Sequence, residues 1–370
     1  MKAPALPRFM HAAVLYGPED VRWEQVPVPQ PGPGEVVARV VAASADFTDR
    51  KVFQRGHHPM IEVPGLFGHE WAGTIAAVGP DADPRWRPGL RVTAANSVPC
   101  LPDEAAGPCR FCTRGRENLC ERLQYNNGAF AAFIRVPVRL VRGNLHPVPE
   151  GVALEHAALA EPLACVLHGA RRLPLAPGDR AAVVGAGPIG LLFVAALRDA
   201  YGGRVRLAAL DHHEERLALA REMGADLVLN TAADGSVRDL KAAWGDEGVD
   251  VAVEAVGTVA AHSEALALLR RGGTLVSFGG VAPGEELPVD IGRVHYEELA
   301  LLSVYHHTPR DFTAAVAAIA AGRIPVGRLI THRLPLNELP RALALIAARR
   351  CLRPVLIPDQ VGEGTPAEVD

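Results

Sequence analysis

The 370-residue chain has no apolar run approaching the roughly 20 residues a helix needs to cross a bilayer, which excludes a helical membrane span. It also lacks any long Lys/Arg block, and its formal net charge is -4. Nucleic acid and anionic membrane surfaces are therefore poor partners. Met1 to Met10 holds two basic residues and two prolines. It holds no apolar core of about 7–15 residues, so no secretory leader is expected. Cysteine is scarce, with six residues, four of them close together. That clustering suits metal ligands in a reducing compartment rather than a disulfide framework, and the expectation is a cytoplasmic protein.

What is present describes a globular enzyme-sized chain. Hydrophobic residues make up 49% and charged residues 22%, as in soluble domains. The length exceeds one small core and suits two domains. Residues 11–138 are rich in Gly, Pro, Val and Ala in short alternating runs, such as His11 to Tyr16 and Glu35 to Val41, with a turn signal at Pro27 to Gly34 between them. Short strands split by such punctuation predict a β-rich, barrel-like domain. From Arg180 strands and helices alternate. Strands are expected at Arg180 to Val184, Val205 to Leu210, Asp226 to Leu229, Val249 to Glu254 and Gly273 to Phe278. Helices are expected at Pro188 to Tyr201 and Glu214 to Met223. That order predicts a doubly wound parallel sheet. Beyond Pro309 a helix (Asp311 to Ala321), a strand (Leu329 to His332), a helix (Glu338 to Ala348) and a strand (Arg353 to Ile357) are expected to return and complete the first domain. Val361 to Asp370 is polar and acidic and is expected to fray.

Two motifs carry chemistry. Gly185-Ala186-Gly187-Pro188-Ile189-Gly190 lies between an expected strand and an expected helix, the context a dinucleotide loop requires. Gly185 would permit the tight turn, Gly187 the approach of a pyrophosphate, and Gly190 close helix–strand packing. Pro188 and Ile189 open the helix whose free N–H groups would face the phosphates. Asp211 follows Gly190 by 21 residues. A carboxylate there accepts from the ribose hydroxyls and repels a 2′-phosphate, favouring NAD over NADP. His212 and His213 could blunt that repulsion, and an N-cap role for Asp211 is compatible. The second motif is Cys109-Arg110-Phe111-Cys112, followed by Cys120 and preceded by Cys100. Four thiolates in a tetrahedron hold zinc with no open position, which is a structural site. Free thiols or a disulfide in a surface loop is the competing reading. Cys165 and Cys351 stand alone and read as ordinary buried cysteines.

Together with Gly68-His69-Glu70-x-x-Gly73, Ala160-Glu161-Pro162-Leu163-Ala164 and Thr331-His332-Arg333, these motifs resemble the zinc-dependent medium-chain alcohol dehydrogenases, in particular their sorbitol, threonine and glucose dehydrogenase branch. The resemblance covers residues 11–357. It implies a GroES-like β-rich catalytic domain over residues 1–159, with a zinc lobe at about 96–121. A Rossmann cofactor domain would cover 160–308, and 309–370 would be the return plus a flexible tail. It implies two zinc ions per chain and NAD. The catalytic zinc would be held by His69, by Glu161 and by the residue at position 46. The family's cysteine there is replaced by Asp46, an acceptable but harder zinc ligand. A working Asp ligand, weak metal binding and a metal-free site all remain open. Glu70 would lie behind the ligands or ligate transiently. Asp49 would orient His69 through its other ring nitrogen, with a capping aspartate as the alternative.

Thr48 matches the family's hydroxyl relay, or is a threonine bonded to backbone. Lys51 matches a proton acceptor in some relatives, or is a solvated lysine. In the lobe, Ala106 stands where the family has its first cysteine, so Cys100 must loop back to supply the fourth thiolate. The implied reaction is hydride transfer between NAD and a secondary alcohol or ketone of a polyol, sugar or cyclitol, in a homodimer or homotetramer. A zinc-free reductase and a catalytically silent NAD-binding protein are the alternatives. His306 and His307 would line the pocket or, as the simpler reading, face solvent.

Overall fold

The computed structural model describes residues 6–58, 61–232, 235–245 and 247–358. The expected fraying of 361–370 lies outside the described residues. The chain forms two units. One takes the residues up to Ala164, Thr308–Gly322 and the chain from Val326 onward, and the other takes Cys165–His307 with Arg323–Pro325. The first change of unit falls after Ala164, inside helix Ala160–Ala170, five residues later than the sequence expectation of 159.

The first unit is organised by strand Val36–Ser44. Its valine-rich run suits the pleat, and only Arg39 along it is exposed. This strand pairs antiparallel with Glu70–Val78, with Ser44 opposite Glu70. Ser44 also lies opposite Val355 of strand Arg353–Ile357. Chain segments near residues 44, 70 and 353 therefore meet at one corner. Phe133–Val136 covers the strand's first half. Trp71, Phe67, Phe130 and Ile75 fill the core behind this sheet, with Phe67 and Phe130 edge to face at 5.0 Å. The return expected after Pro309 is present as helix Pro309–Ala320, strand Ile330–Pro335, helix Leu339–Ala347 and strand Arg353–Ile357.

The second unit is a six-stranded sheet in which every strand pairing is parallel. In spatial order the strands are Leu227–Asn230, Arg206–Asp211, Arg180–Val184, Val249–Glu254, Leu269–Ser277 and Ala300–Ser303. Arg180–Val184 is followed on one side by the next strands in sequence and on the other by the later ones, so the order reverses beside it. That reversal opens the crevice in which such sheets bind nucleotides. Helices Pro188–Tyr201 and Glu214–Glu222 match their sequence signals. Helices Ser236–Trp244 and Val259–Ala267 and the short edge strand Ala300–Ser303 carry no clear signal in the sequence and appear only in the structure.

Candidate metal and dinucleotide sites

Asp46 starts helix Phe47–Arg55. Its Oδ1 accepts the Asp49 N–H at 2.9 Å, and Asp49 Oδ2 accepts the Asp46 N–H at 3.0 Å. This reciprocal cap satisfies two otherwise orphaned donors. Asp49 Oδ1 lies 3.2 Å from His69 Nδ1, which leaves His69 Nε2 as the nitrogen free for a metal. The Thr48 hydroxyl bonds the Asp46 carboxyl. Glu161, in the first turn of helix Ala160–Ala170, accepts from Asn96 Nδ2 at 3.1 Å. Ligand atoms of Asp46, Asp49 and His69 all lie within 4.8 Å of one another, as do those of His69, Glu70 and Glu161.

Arg353 closes this corner. Its Nη1 reaches both Glu70 oxygens, at 2.9 and 3.1 Å, and both side chains are buried. Burial pushes Glu70 up to about 8 against the pull of Arg353. Burial also opposes charge on Asp46, but His69 and Arg353 outweigh it and hold that carboxyl below its usual range. Burial raises Asp49. At His69 burial is overcome by the Asp49 and Asp46 charges, which hold the ring well above its usual value. Four carboxyls thus face one guanidinium and one imidazole. The mixed nitrogen and oxygen donors gathered around His69 fit a divalent cation.

In the lobe, Cys100 Sγ lies 3.3 Å from Cys112 Sγ and 3.6 Å from Cys120 Sγ. Cys109 Sγ lies 3.6 and 3.9 Å from Cys112 and Cys120. All four are free cysteines, too far apart for S–S bonds. These separations are those of sulfurs about 2.3 Å from a common centre, so zinc fits. Backbone N–H groups of Cys100, Cys109 and Arg122 donate to the sulfurs. Cys100 does return to the cluster despite Ala106. Turns closed by Leu101–Glu104 and Glu104–Gly107 backbone bonds fold the intervening loop.

In the second unit, Gly187 caps helix Pro188–Tyr201, and a Cβ there would meet nothing within 4 Å. The space suits a pyrophosphate against the helix N-terminus. A Cβ on Gly190 would sit 1.7 Å from the Gly185 carbonyl oxygen, so only glycine allows this helix to approach its strand. Asp211 ends strand Arg206–Asp211. Its Oδ2 accepts Ala186 N–H at 2.8 Å, and its Oδ1 lies 2.9 Å from His213 N and 2.7 Å from His213 Nδ1. Burial works against its charge, but these bonds keep the carboxyl below its usual range. The helix cap itself is His213, not Asp211.

Three sequence readings change. His307 is buried and His306 half-buried rather than solvent-facing. Cys165 is only partly buried. Lys51 lies 5.3 Å from the Phe47 ring, a cation–π contact rather than full solvation. Sequence reasoning missed Arg353 and Asn96. Arg353 heads an otherwise apolar strand, and that oddity was its only signal.

A β-rich unit with a cysteine lobe and a carboxylate–histidine cluster, in one chain with a doubly wound sheet bearing a glycine loop, defines an oxidoreductase. Family models agree. Residues 32–150 match the alcohol dehydrogenase GroES-like domain, and residues 188–321 match the zinc-binding dehydrogenase domain. The chain is 31% identical to sorbitol dehydrogenase of Bacillus subtilis, over 96% of its own length and 99% of the relative's. It is 32% identical to the erythritol/L-threitol dehydrogenase of Mycolicibacterium smegmatis, over 95% and 99%. A Sinorhizobium meliloti protein solved bound to NADP superposes with a TM-score of 0.84 at 28% identity, covering 95% of this chain and 99% of that one. The chain belongs to the zinc-dependent medium-chain dehydrogenase family, as the motifs implied.

Proposed function

We propose that this dehydrogenase moves hydride between NAD and a secondary alcohol or ketone of a polyol, sugar or cyclitol, with a catalytic zinc held by Asp46, His69 and Glu161. The carrying observation is that Asp46 and Glu161, from distant parts of the chain, each bring a ligand oxygen within 4.8 Å of a His69 ring nitrogen. Polyol relatives support the substrate class. Bound there, zinc supplies Lewis-acid polarisation of the substrate oxygen, and the nicotinamide accepts or gives hydride. Asp49 holds the His69 ring by its Nδ1. Asn96 anchors Glu161. Arg353 holds Glu70 behind the ligands. The Thr48 hydroxyl, bonded to Asp46, would pass the substrate proton outward. Cys100, Cys109, Cys112 and Cys120 hold the second, structural zinc.

Asp211 supports NAD, because the Ala186 and His213 bonds fix its charge beside the glycine loop, where a 2′-phosphate would meet it. A homodimer or homotetramer is supported by the edge strand Ala300–Ser303, with Leu301 65% exposed, beside Tyr296 at 83% and Ile291 at 76%. No helix among the described residues is long and apolar enough to cross a membrane. A reducing cytoplasm suits four close, unbonded thiols. The domain limits 1–159, 160–308 and 309–370 are retained as functional divisions. The test is a screen of polyols, sugars and cyclitols for reduction of NAD and of NADP, on protein of measured metal content and mass. Two zinc ions per chain with polyol-dependent NADH formation is the expected result. Metal-free protein, or no turnover with any alcohol, would favour a zinc-free reductase or a silent NAD-binding protein.

A further inference from the structure

Glu254, the last residue of strand Val249–Glu254, is fully buried. Its Oε1 accepts two backbone donors, Val256 N–H at 2.7 Å and Gly257 N–H at 2.6 Å. Its Oε2 has no hydrogen-bond partner, and the atom it faces is His262 Nε2 at 3.4 Å. His262 is buried in helix Val259–Ala267. Its Nδ1 lies 2.8 Å from the Thr258 carbonyl. A carbonyl only accepts, so Nδ1 carries a proton. Its Nε2 lies 2.8 Å from Ser277 Oγ. Ser277 is the cross-strand partner of Glu254. If the ring were neutral, its Nε2 would accept from the Ser277 hydroxyl, and Glu254 Oε2 would face it with neither a donor nor a counter-charge. A proton on Glu254 instead would need an O–H···N bond, and 3.4 Å is too long for a good one. Among the described residues no other charged side chain pairs with either group. A Cβ on Gly279 would lie 2.6 Å from Glu254 Oε2, so glycine leaves the carboxylate its room.

The turn that Glu254 holds abuts the dinucleotide loop. The Ala255 N–H bonds the Val184 carbonyl at 2.9 Å. Val256 Cγ2 would lie 2.5 Å from a Cβ on Gly185.

We propose that His262 is protonated on both ring nitrogens, and that as a buried cation it and Ser277 are positioning residues that fix Glu254, and through it the Val256–Gly257 turn against the dinucleotide loop. Nε2–H donates to Ser277 Oγ, and its charge offsets Glu254. This rests on the reading of the glycine loop as a dinucleotide site. His262 lies outside the motifs that define the family and acts only through Glu254 and the turn.

Two measurements test it. In protein labelled with 15N-histidine, the His262 ring, assigned by its absence in the His262→Gln protein, shows protons on both nitrogens at neutral pH. A bare Nε2 or Nδ1 overturns the proposal without reference to any cofactor. Second, NADH fluorescence titration of zinc-replete protein gives dissociation constants. His262→Gln leaves Glu254 uncompensated and weakens NADH about tenfold, a usual size for coupling between adjacent sites. The double variant His262→Gln with Glu254→Gln removes both charges and recovers most of that loss at unchanged zinc content. Wild-type affinity in His262→Gln, or no recovery in the double variant, overturns it. Wild-type protein that binds neither NADH nor NADPH refutes the dinucleotide reading instead, and the ring spectrum still decides the protonation.

Discussion

The two candidate metal regions differ in how they are assembled. The cysteine lobe draws on Cys100 to Cys120, four thiols of one kind whose sulfurs close on one another. The Asp46–His69–Glu161 corner draws mixed donors from residues 46, 69 and 161 and depends on Arg353 to neutralise part of its charge. One region is local and closed. The other is built by strand pairing and kept open, with carboxylates in excess. Closure suits a structural ion, and an open, harder donor set suits a chemical one. It follows that the lobe should resist single changes elsewhere, while the corner should respond to changes made far from it in sequence.

The largest effect expected is in the lobe. Structural zinc in small domains is worth on the order of 10 kcal/mol. Cys100→Ser should therefore lose the tightly held metal and open residues 100–120 to proteases. Full metal content and unchanged digestion would mean that the lobe does not depend on its ion. Next is Arg353→Leu, which strips Glu70 of its partner inside the core. Removing one member of a buried pair costs about 3–5 kcal/mol, to be read by chemical denaturation. Adding Glu70→Gln should recover much of it. A loss below about 1 kcal/mol would show the corner to be more hydrated than its burial indicates.

Asp46 has a capping role and a proposed ligand role, and the two can be separated. Asparagine caps a helix about as well as aspartate but carries no charge. Asp46→Asn should keep its melting temperature, release the labile metal and lose about 100-fold in activity, the upper range for disturbed metal sites. Asp46→Ala should lose the same activity and also about 1 kcal/mol of stability with the cap. Equal stability for the two variants would remove the capping role, and full activity in both would remove the ligand role.

Acid release of the labile metal must be told apart from acid sensitivity of the fold. Burial lowers His146 from 6.5 to about 4. Between those values the unfolded chain binds more protons, so stability falls as the pH drops through this window, by at most about 1.4 kcal/mol per unit. His146→Leu should flatten the melting temperature over that range. If it does not, the acid loss belongs to the metal corner. The smallest effect is in the other unit. Asp211→Ser should shift kcat/KM from NAD toward NADP, leaving both metals in place. A higher wild-type kcat/KM with NADP would contradict the NAD assignment.

What could be read in advance follows the same division. The lobe's four cysteines sit within one stretch of chain, so spacing alone groups them as candidate ligands, and the reach from Cys100 is a matter of loop path. The glycine loop and its strands announced themselves through alternation and apolar runs. Asp46, His69 and Glu161 came through motifs rather than through any pattern that would bring them together. Arg353 and Asn96 could not be read, because a buried counter-charge is defined by the strand beside it and not by its own neighbours in sequence. Strand Ala300–Ser303 escaped for a related reason. Four residues with exposed faces lack the buried apolar run that marked the strands nearer the centre of the sheet.

The ion pair between Glu70 and Arg353 spans 283 residues. A growing chain makes Glu70 long before it makes its counter-charge. Until strand Arg353–Ile357 emerges and pairs with Val36–Ser44, the acidic corner lacks a wall and the Arg353 guanidinium. The enzyme therefore cannot assemble this site stepwise behind the ribosome. The four cysteines of the lobe can gather early, whereas the corner is complete only once residues 353–357 have emerged.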